Sequence, residues 1–118
     1  MRAQLAIDQS TSATKAVLFD ADGTVLHRIS CEHRQYYPAP GLVEHDAEEI
    51  WRNVLTLSGA VLAKAPAAIT DLRCVSIANQ RETVVVFDRR TGRPLMPAIV
   101  WQCRRGSSLC KGPRSVFR

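Results

Sequence analysis

Residues Asp8 to Lys15 place one carboxylate ahead of four hydroxyls (Ser10, Thr11, Ser12 and Thr14) and one ammonium. Phosphate groups are recognised by N–H and O–H donors together with a cation. Thr11, Ser12, Thr14 and Lys15 offer such donors. Asp8 can hold Mg2+, mostly through water, because that ion keeps much of its hydration shell. The same residue types also populate ordinary hairpin turns, so a plain turn stands beside the phosphate reading. The chain has no Gly-x-x-x-x-Gly-Lys loop, which argues against a P-loop nucleotide site.

A second polar cluster, Asn79-Gln80-Arg81-Glu82-Thr83, interrupts two apolar runs. A guanidinium beside a carboxylate supplies donors and an acceptor, a pair suited to neighbouring hydroxyls of a polyol. The alternative is a polar turn between two paired strands. Trp101 is the third candidate. An indole can pack on a sugar or polyol carbon chain, although a Trp at a strand end also serves as core.

These residues need elements to hold them. Residues 3–8, 15–20 and 24–30 read as three short strands, the last two joined by an Asp-Gly turn at Asp22-Gly23. Tight turns leave no room for crossovers, so the three form an antiparallel meander. A loop with Pro38, Pro40 and Gly41 follows. Asp46, three residues before Glu49, has the spacing of a capping box. Ile50, Val54, Leu57, Val61 and Leu62 then recur at helical spacing, Trp51 and Leu55 widen the apolar face, and Pro66 marks the end. Residues 72–79, 83–88 and 98–101 read as further strands, with Cys74 as a small core residue. Strands, a helix and more strands suit an α/β domain with a mixed sheet.

Composition narrows the function classes. A hydrophobic fraction of 46% supports a packed core and argues against wholesale disorder. Of the 16 Lys and Arg, five (Arg104, Arg105, Lys111, Arg114 and Arg118) lie after residue 103, and all 11 Asp and Glu lie before it. The net +5 is therefore a short solvated tail rather than a basic stripe for nucleic acid. No apolar run reaches the ~20 residues of a membrane span, and the N-terminus is too weakly apolar for a signal peptide. The cytoplasm is the expected compartment. The four cysteines form no Cys-x-x-Cys pair, so separate reduced thiols are expected.

Four blocks taken together carry more than any one motif: AIDQSTSATKAVLFD, QYYPAPGLVEHDAEEIW, SIANQRETVVVFDRRTGRP and PAIVWQCRR. In this order they resemble the opening of the FGGY family of carbohydrate kinases, closest to its glycerol-phosphorylating members. The resemblance implies a ribonuclease-H-like (actin-like ATPase) fold, with ATP and substrate in a cleft between two such domains. It implies that Asp8 assists Mg2+ binding and that Thr11, Ser12, Ala13 and Lys15 line the ATP phosphate site. It further implies that Arg81 and Glu82 hydrogen-bond substrate hydroxyls and that Trp101 packs on the substrate. The γ-phosphoryl of ATP would pass to a primary hydroxyl of a small polyol or sugar, glycerol first, with positioning and Mg2+ supplying much of the catalysis. Family members are often homo-oligomeric.

Two positions depart from the glycerol-type pattern: Ser10 stands where that loop has Gly, and Lys15 where it usually has Arg. The resemblance covers about residues 3–110. Residues 1–110 are thus expected to be an incomplete N-terminal kinase domain, and 111–118 an atypical tail produced by truncation or frameshift. On that reading the catalytic base lies in a C-terminal part, none of the candidates here is catalytic, and the fragment is inactive alone. A stand-alone nucleotide- or polyol-binding module and a kinase for another polyol or ketose remain alternatives. An actin-like structural or chaperone ATPase is a third, opposed by the Asn79–Thr83 block.

Overall fold

A computed structural model describes residues 1–111. Its main sheet has four strands in the order β3-β2-β1-β5: β1 (Arg2–Gln9), β2 (Ala13–Asp20), β3 (Val25–Glu32) and β5 (Asp71–Ala78). The expected antiparallel meander is present, and β5 adds to β1 in parallel, which makes the sheet mixed. The β2–β3 turn closes where expected. Gly23 adopts φ 85°, a left-handed conformation that costs glycine nothing, and the Asp20 carboxylate accepts from the N–H groups of Asp22 and Thr24.

Alternation along the strands builds the core. Ala3, Leu5 and Ile7 of β1 and Ala16 and Leu18 of β2 point to one face and are buried. Register sets Leu5 opposite Leu18 and Ile7 opposite Ala16. The helix α1 (Ala47–Ala63) crosses that face over β2 and β3 and closes it with Leu57 and Val61. Asp46 caps α1, its Oδ1 accepting from the Glu48 and Glu49 N–H groups. Glu49 does not return the bond as a capping box would. Its carboxylate takes the Arg34 N–H instead, tying the helix start to the segment after β3. The buried stripe is narrower than the periodicity suggests. Trp51 and Leu55 are exposed, because one flat sheet face covers only part of a helix circumference.

Three other expectations change. Cys74 is not core: every residue of β5 is exposed, because α1 lies over β1 to β3 and no described element covers β5. Residues 83–88 form no continuous strand. Only Val84 and Phe87 make isolated bridges, to Ile99 and Pro94. Val84 to Phe87 stay 41–58% exposed, and β propensity is mainly a fit to a packed, half-buried surface. The strand expected at 98–101 shortens to β6 (Ala98–Ile99), which pairs with β4 (Glu44–His45) in a two-stranded sheet. A single helical turn, α2 (Ser107–Cys110), follows.

The basic end is partly structural. Arg105 Nη2 sits 2.6 Å from Glu44 Oε1, so this guanidinium belongs to the fold rather than to a solvated tail. The remainder of the tail assigned to 111–118, residues 112–118, lies outside the described residues. Among the described residues no helix is long and apolar enough to cross a membrane.

Candidate functional site

The strands β1 and β5 run parallel and end side by side, Asp8 near the end of one and Asn79 just past the other. Ligands of open α/β sheets bind beyond the carboxyl ends of such strands. A cleft of about 380 Å3 opens there, lined by Asp8, Gln9, Ser10, Thr11, Asn79, Gln80, Arg81, Glu82 and Trp101. Five residues singled out in sequence therefore share one cavity: Asp8, Thr11, Arg81, Glu82 and Trp101. A larger cleft of about 540 Å3 lies between residues 44–48 and 93–97. It contains none of these five, and the convergence of strand ends and polar groups favours the smaller one.

The loop between β1 and β2 is closed by its own side chains. Ser10 donates N–H and hydroxyl to the Ala13 carbonyl, at 2.9 and 3.0 Å, and its Oγ accepts the Ala13 N–H at 3.2 Å. Ser12, Ala13 and Lys15 are not among the residues lining the cleft. Ala13 is buried with its N–H engaged, while Ser12 and Lys15 are exposed. Thr14 is not a phosphate donor: it is fully buried and its hydroxyl is spent on Gln9 Oε1 at 2.5 Å. Lys15 stands across the hairpin from Asp8, Nζ to Oδ2 3.5 Å, so the half-exposed carboxylate already has one cation beside it.

The second loop carries the only non-glycine positive φ among the described residues, Glu82 at 64°. Such backbone costs about 1–2 kcal/mol for a residue with a Cβ, and strained positions of this kind gather at functional sites. Trp101 joins the two loops. Its Nε1–H donates to Thr11 Oγ1 at 2.9 Å, and its backbone N–H donates to Thr83 Oγ1 at 3.3 Å. Half of the indole stays exposed toward the cleft.

Behind the cleft lies a buried pair of histidines. The rings of His33 and His45 meet edge to face, centroids 4.6 Å apart. His45 bonds Gln35 through Nε2 and Gln80 through Nδ1. The His33 ring nitrogens have no partner among the described residues. Burial pushes the His45 pKa below its ordinary 6.5 to about 4; His33 adds to the shift and Glu49 opposes it. Burial also lowers His33. Since the unfolded chain binds protons that these folded imidazoles refuse, their stabilisation is complete above pH 6.5 and is lost as pH falls toward 4. The melting temperature should fall across that window, and His45→Asn should flatten the fall. Equal slopes for the two proteins would contradict the assignment.

The FGGY carbohydrate-kinase N-terminal domain profile matches residues 3–114. The chain belongs to the FGGY family of carbohydrate kinases. This FGGY chain is 49% identical to glycerol kinase 1 of Thermotoga maritima over 107 residues, 91% of this chain and 22% of that protein. The crystal structure of Plasmodium falciparum glycerol kinase with ADP superimposes with TM-score 0.83 at 37% identity, over 98% of this chain and 24% of that one. Xylulose kinase from Rhodospirillum rubrum has the same TM-score of 0.83 at 22% identity, covering 98% of this chain and 25% of that one, a likeness of fold alone. The fold is thus the ribonuclease-H-like (actin-like ATPase) one, in its N-terminal part. The FGGY chain spans about a fifth to a quarter of the length of these relatives.

Sequence reading passes over Gln35 and His45, which lie behind the cleft rather than lining it, although both stand in the second matching block of this FGGY sequence. The available signal was an unexplained His between Glu44 and the helix cap Asp46, four residues before Glu49. Ser10 also gains a reason. Its hydroxyl staples the loop to Ala13, a bond that glycine could not make.

Proposed function

We propose that this chain supplies the phosphate-binding loop and the polyol-binding loop of an ATP-dependent kinase that phosphorylates a primary hydroxyl of a small polyol, with glycerol as the substrate. The observation that carries this reading is the single cleft in which Thr11 and Asp8 face Arg81, Glu82 and Trp101. A phosphate donor and a hydroxyl acceptor must meet within bonding distance, and two loops joined through the Trp101–Thr11 bond provide that adjacency.

In this reading Thr11 and the adjoining Ser12, Ala13 and Lys15 hold the ATP phosphates. Arg81 donates to substrate hydroxyls and Glu82 accepts from them. The Trp101 indole packs on the carbon chain. The residues fit Mg2+ as kinases use it. One half-exposed carboxylate, Asp8, is present, and no cluster of three or more ligating side chains exists among the described residues. The ion would keep its waters and lean on the phosphates. Bound there, Mg2+ would neutralise charge developing on the transferred phosphoryl group. The similarity to glycerol kinases at 49% and 37% identity supports glycerol over other acceptors.

The test is a chimera in which residues 1–110 replace the matching stretch of the Thermotoga maritima glycerol kinase 1. ADP release in a coupled assay should depend on glycerol. Turnover with xylulose but not glycerol would overturn the substrate, and ATP binding without turnover on any polyol or ketose would leave a binding module.

A further inference from the structure

The two loops of the cleft are joined twice, and the two joints differ in kind. The Trp101–Thr11 bond faces the cleft, where an incoming ligand and water compete for it. The other joint runs through the fully buried His45 between two half-buried glutamines. Gln35 Nε2 donates to the Thr11 carbonyl at 3.0 Å. A carbonyl can only accept, so the Gln35 amide nitrogen must face Thr11 and its oxygen must face His45. His45 Nε2, 2.5 Å from that oxygen, must therefore carry the proton. The neutral ring then offers Nδ1 as an acceptor, and Gln80 Nε2 donates to it at 3.2 Å. One arrangement of protons fits the three bonds of the run, which is anchored by a backbone carbonyl at one end and leaves Gln80 Oε1 without a partner among the described residues at the other. At the other end Gln80 directly precedes Arg81 and the left-handed Glu82, so holding its side chain sets the entry to that turn.

We infer that His45 is a positioning residue: through Gln35 and Gln80 it fixes the spacing between the loop at Thr11 and the loop at Arg81, and so couples nucleotide binding to polyol binding. The names of the two ligands rest on the proposed kinase reading; the joint itself rests on the hydrogen bonds. His45 has no exposed surface and touches neither ligand directly, so its effect must pass through the two glutamines. A run centred on a buried ring holds geometry better than an exposed bond such as Trp101–Thr11, because the lower local dielectric strengthens its bonds and penalises their loss. A small misplacement of reacting groups is enough to cost a kinase much of its rate.

The test uses the isotope-labelled 118-residue chain. Backbone amides are followed by NMR while Mg2+ with a non-hydrolysable ATP analogue is added, and then glycerol. In the unsubstituted chain the analogue should move the Thr11 amide and, through the relay, those of Arg81 and Glu82. Gln80→Leu and His45→Asn should keep the Thr11 response and reduce that of Arg81 and Glu82 about 5-fold or more, the usual scale of coupling between sites. Val54→Ala, a half-buried core change away from the relay, should keep both responses and so separate positioning from stability. The imidazole 15N shifts should show His45 as the neutral Nε2–H form, and the Nδ1–H form would overturn the relay. Unchanged responses in Gln80→Leu would also overturn it and leave the kinase reading intact. If neither ligand moves any amide in the unsubstituted chain, these loops do not hold either ligand by themselves, and the kinase reading is judged by the chimera alone. The relay is then judged on ligand-free spectra, where Gln80→Leu must move the Thr11 amide and Gln35→Leu that of Arg81. Shifts confined to each variant's own loop would reject it.

Discussion

In the glycerol kinase chimera, Glu82→Ala is expected to lower kcat/KM for glycerol about 5- to 150-fold while leaving the KM for ATP nearly unchanged. The factor corresponds to the about 1–3 kcal/mol lost when a buried polar group is left without its partner. Here that group is a substrate hydroxyl pressed into the cleft where the Glu82 carboxylate had accepted from it. Thr11→Ala should do the reverse and raise the KM for ATP by a similar factor. The backbone supplies a control. Glu82 sits at φ 64°, which alanine tolerates no better than glutamate. Glycerol use should therefore fall in the alanine variant with little change in melting temperature. Glu82→Gly relieves the strain, so it should raise the melting temperature and still lower glycerol use. If both variants lost stability and kept their glycerol kinetics, Glu82 would be a turn residue and the polyol site would have to be sought elsewhere.

The second large effect concerns the face that holds the cleft in place. Leu18→Ala is expected to cost about 2–5 kcal/mol. Leu18 is 0% exposed at the centre of a cluster with Leu5, Ile7, Leu57 and Val61, and it bridges the hairpin to α1. A loss of that size is a large share of the about 5–15 kcal/mol that holds a whole domain together. Ile77→Ala in β5 removes the same three carbons yet should change stability by no more than about 0.5 kcal/mol, because Ile77 is 69% exposed. Denaturant midpoints followed by circular dichroism compare the two directly. A loss at Ile77 as large as that at Leu18 would mean that β5 is covered in solution.

That contrast shows where sequence and structure part. Leu18 and Ile77 both stand in alternating, β-branched-rich stretches, and both stretches are strands. Local pattern determines that a segment is extended. Whether a second layer lies over it depends on where α1 lands, which is a property of the whole packing. The same reasoning covers Cys74, Trp51 and Leu55, apolar residues at suitable spacing that stay exposed. The Val84–Val86 run has the composition of a strand but stays 41–52% exposed, and it reduces to isolated bridges.

The elements set by local chemistry were legible: the antiparallel hairpins, the Asp-Gly turn and the Asp46 cap all depend on residues a few positions apart, although Glu49 turns to Arg34 rather than closing a capping box. So was family membership, which rests on four blocks of sequence in order. The residue types able to bind phosphate and hydroxyls were also legible. Which of them meet was not. Asp8 and Arg81 are brought together by the parallel pairing of β1 with β5, and Thr11 and Trp101 by a bond between loops distant in sequence. Thr14 looked like its neighbours in the hydroxyl-rich loop, yet strand alternation turned it inward onto Gln9. His45 carried no sign of its partners, because Gln35 and Gln80 reach it from different segments of the chain. A sequence lists the groups available for chemistry; long-range backbone pairing and burial decide which of them share a cleft, since only they set distances between residues far apart along the chain.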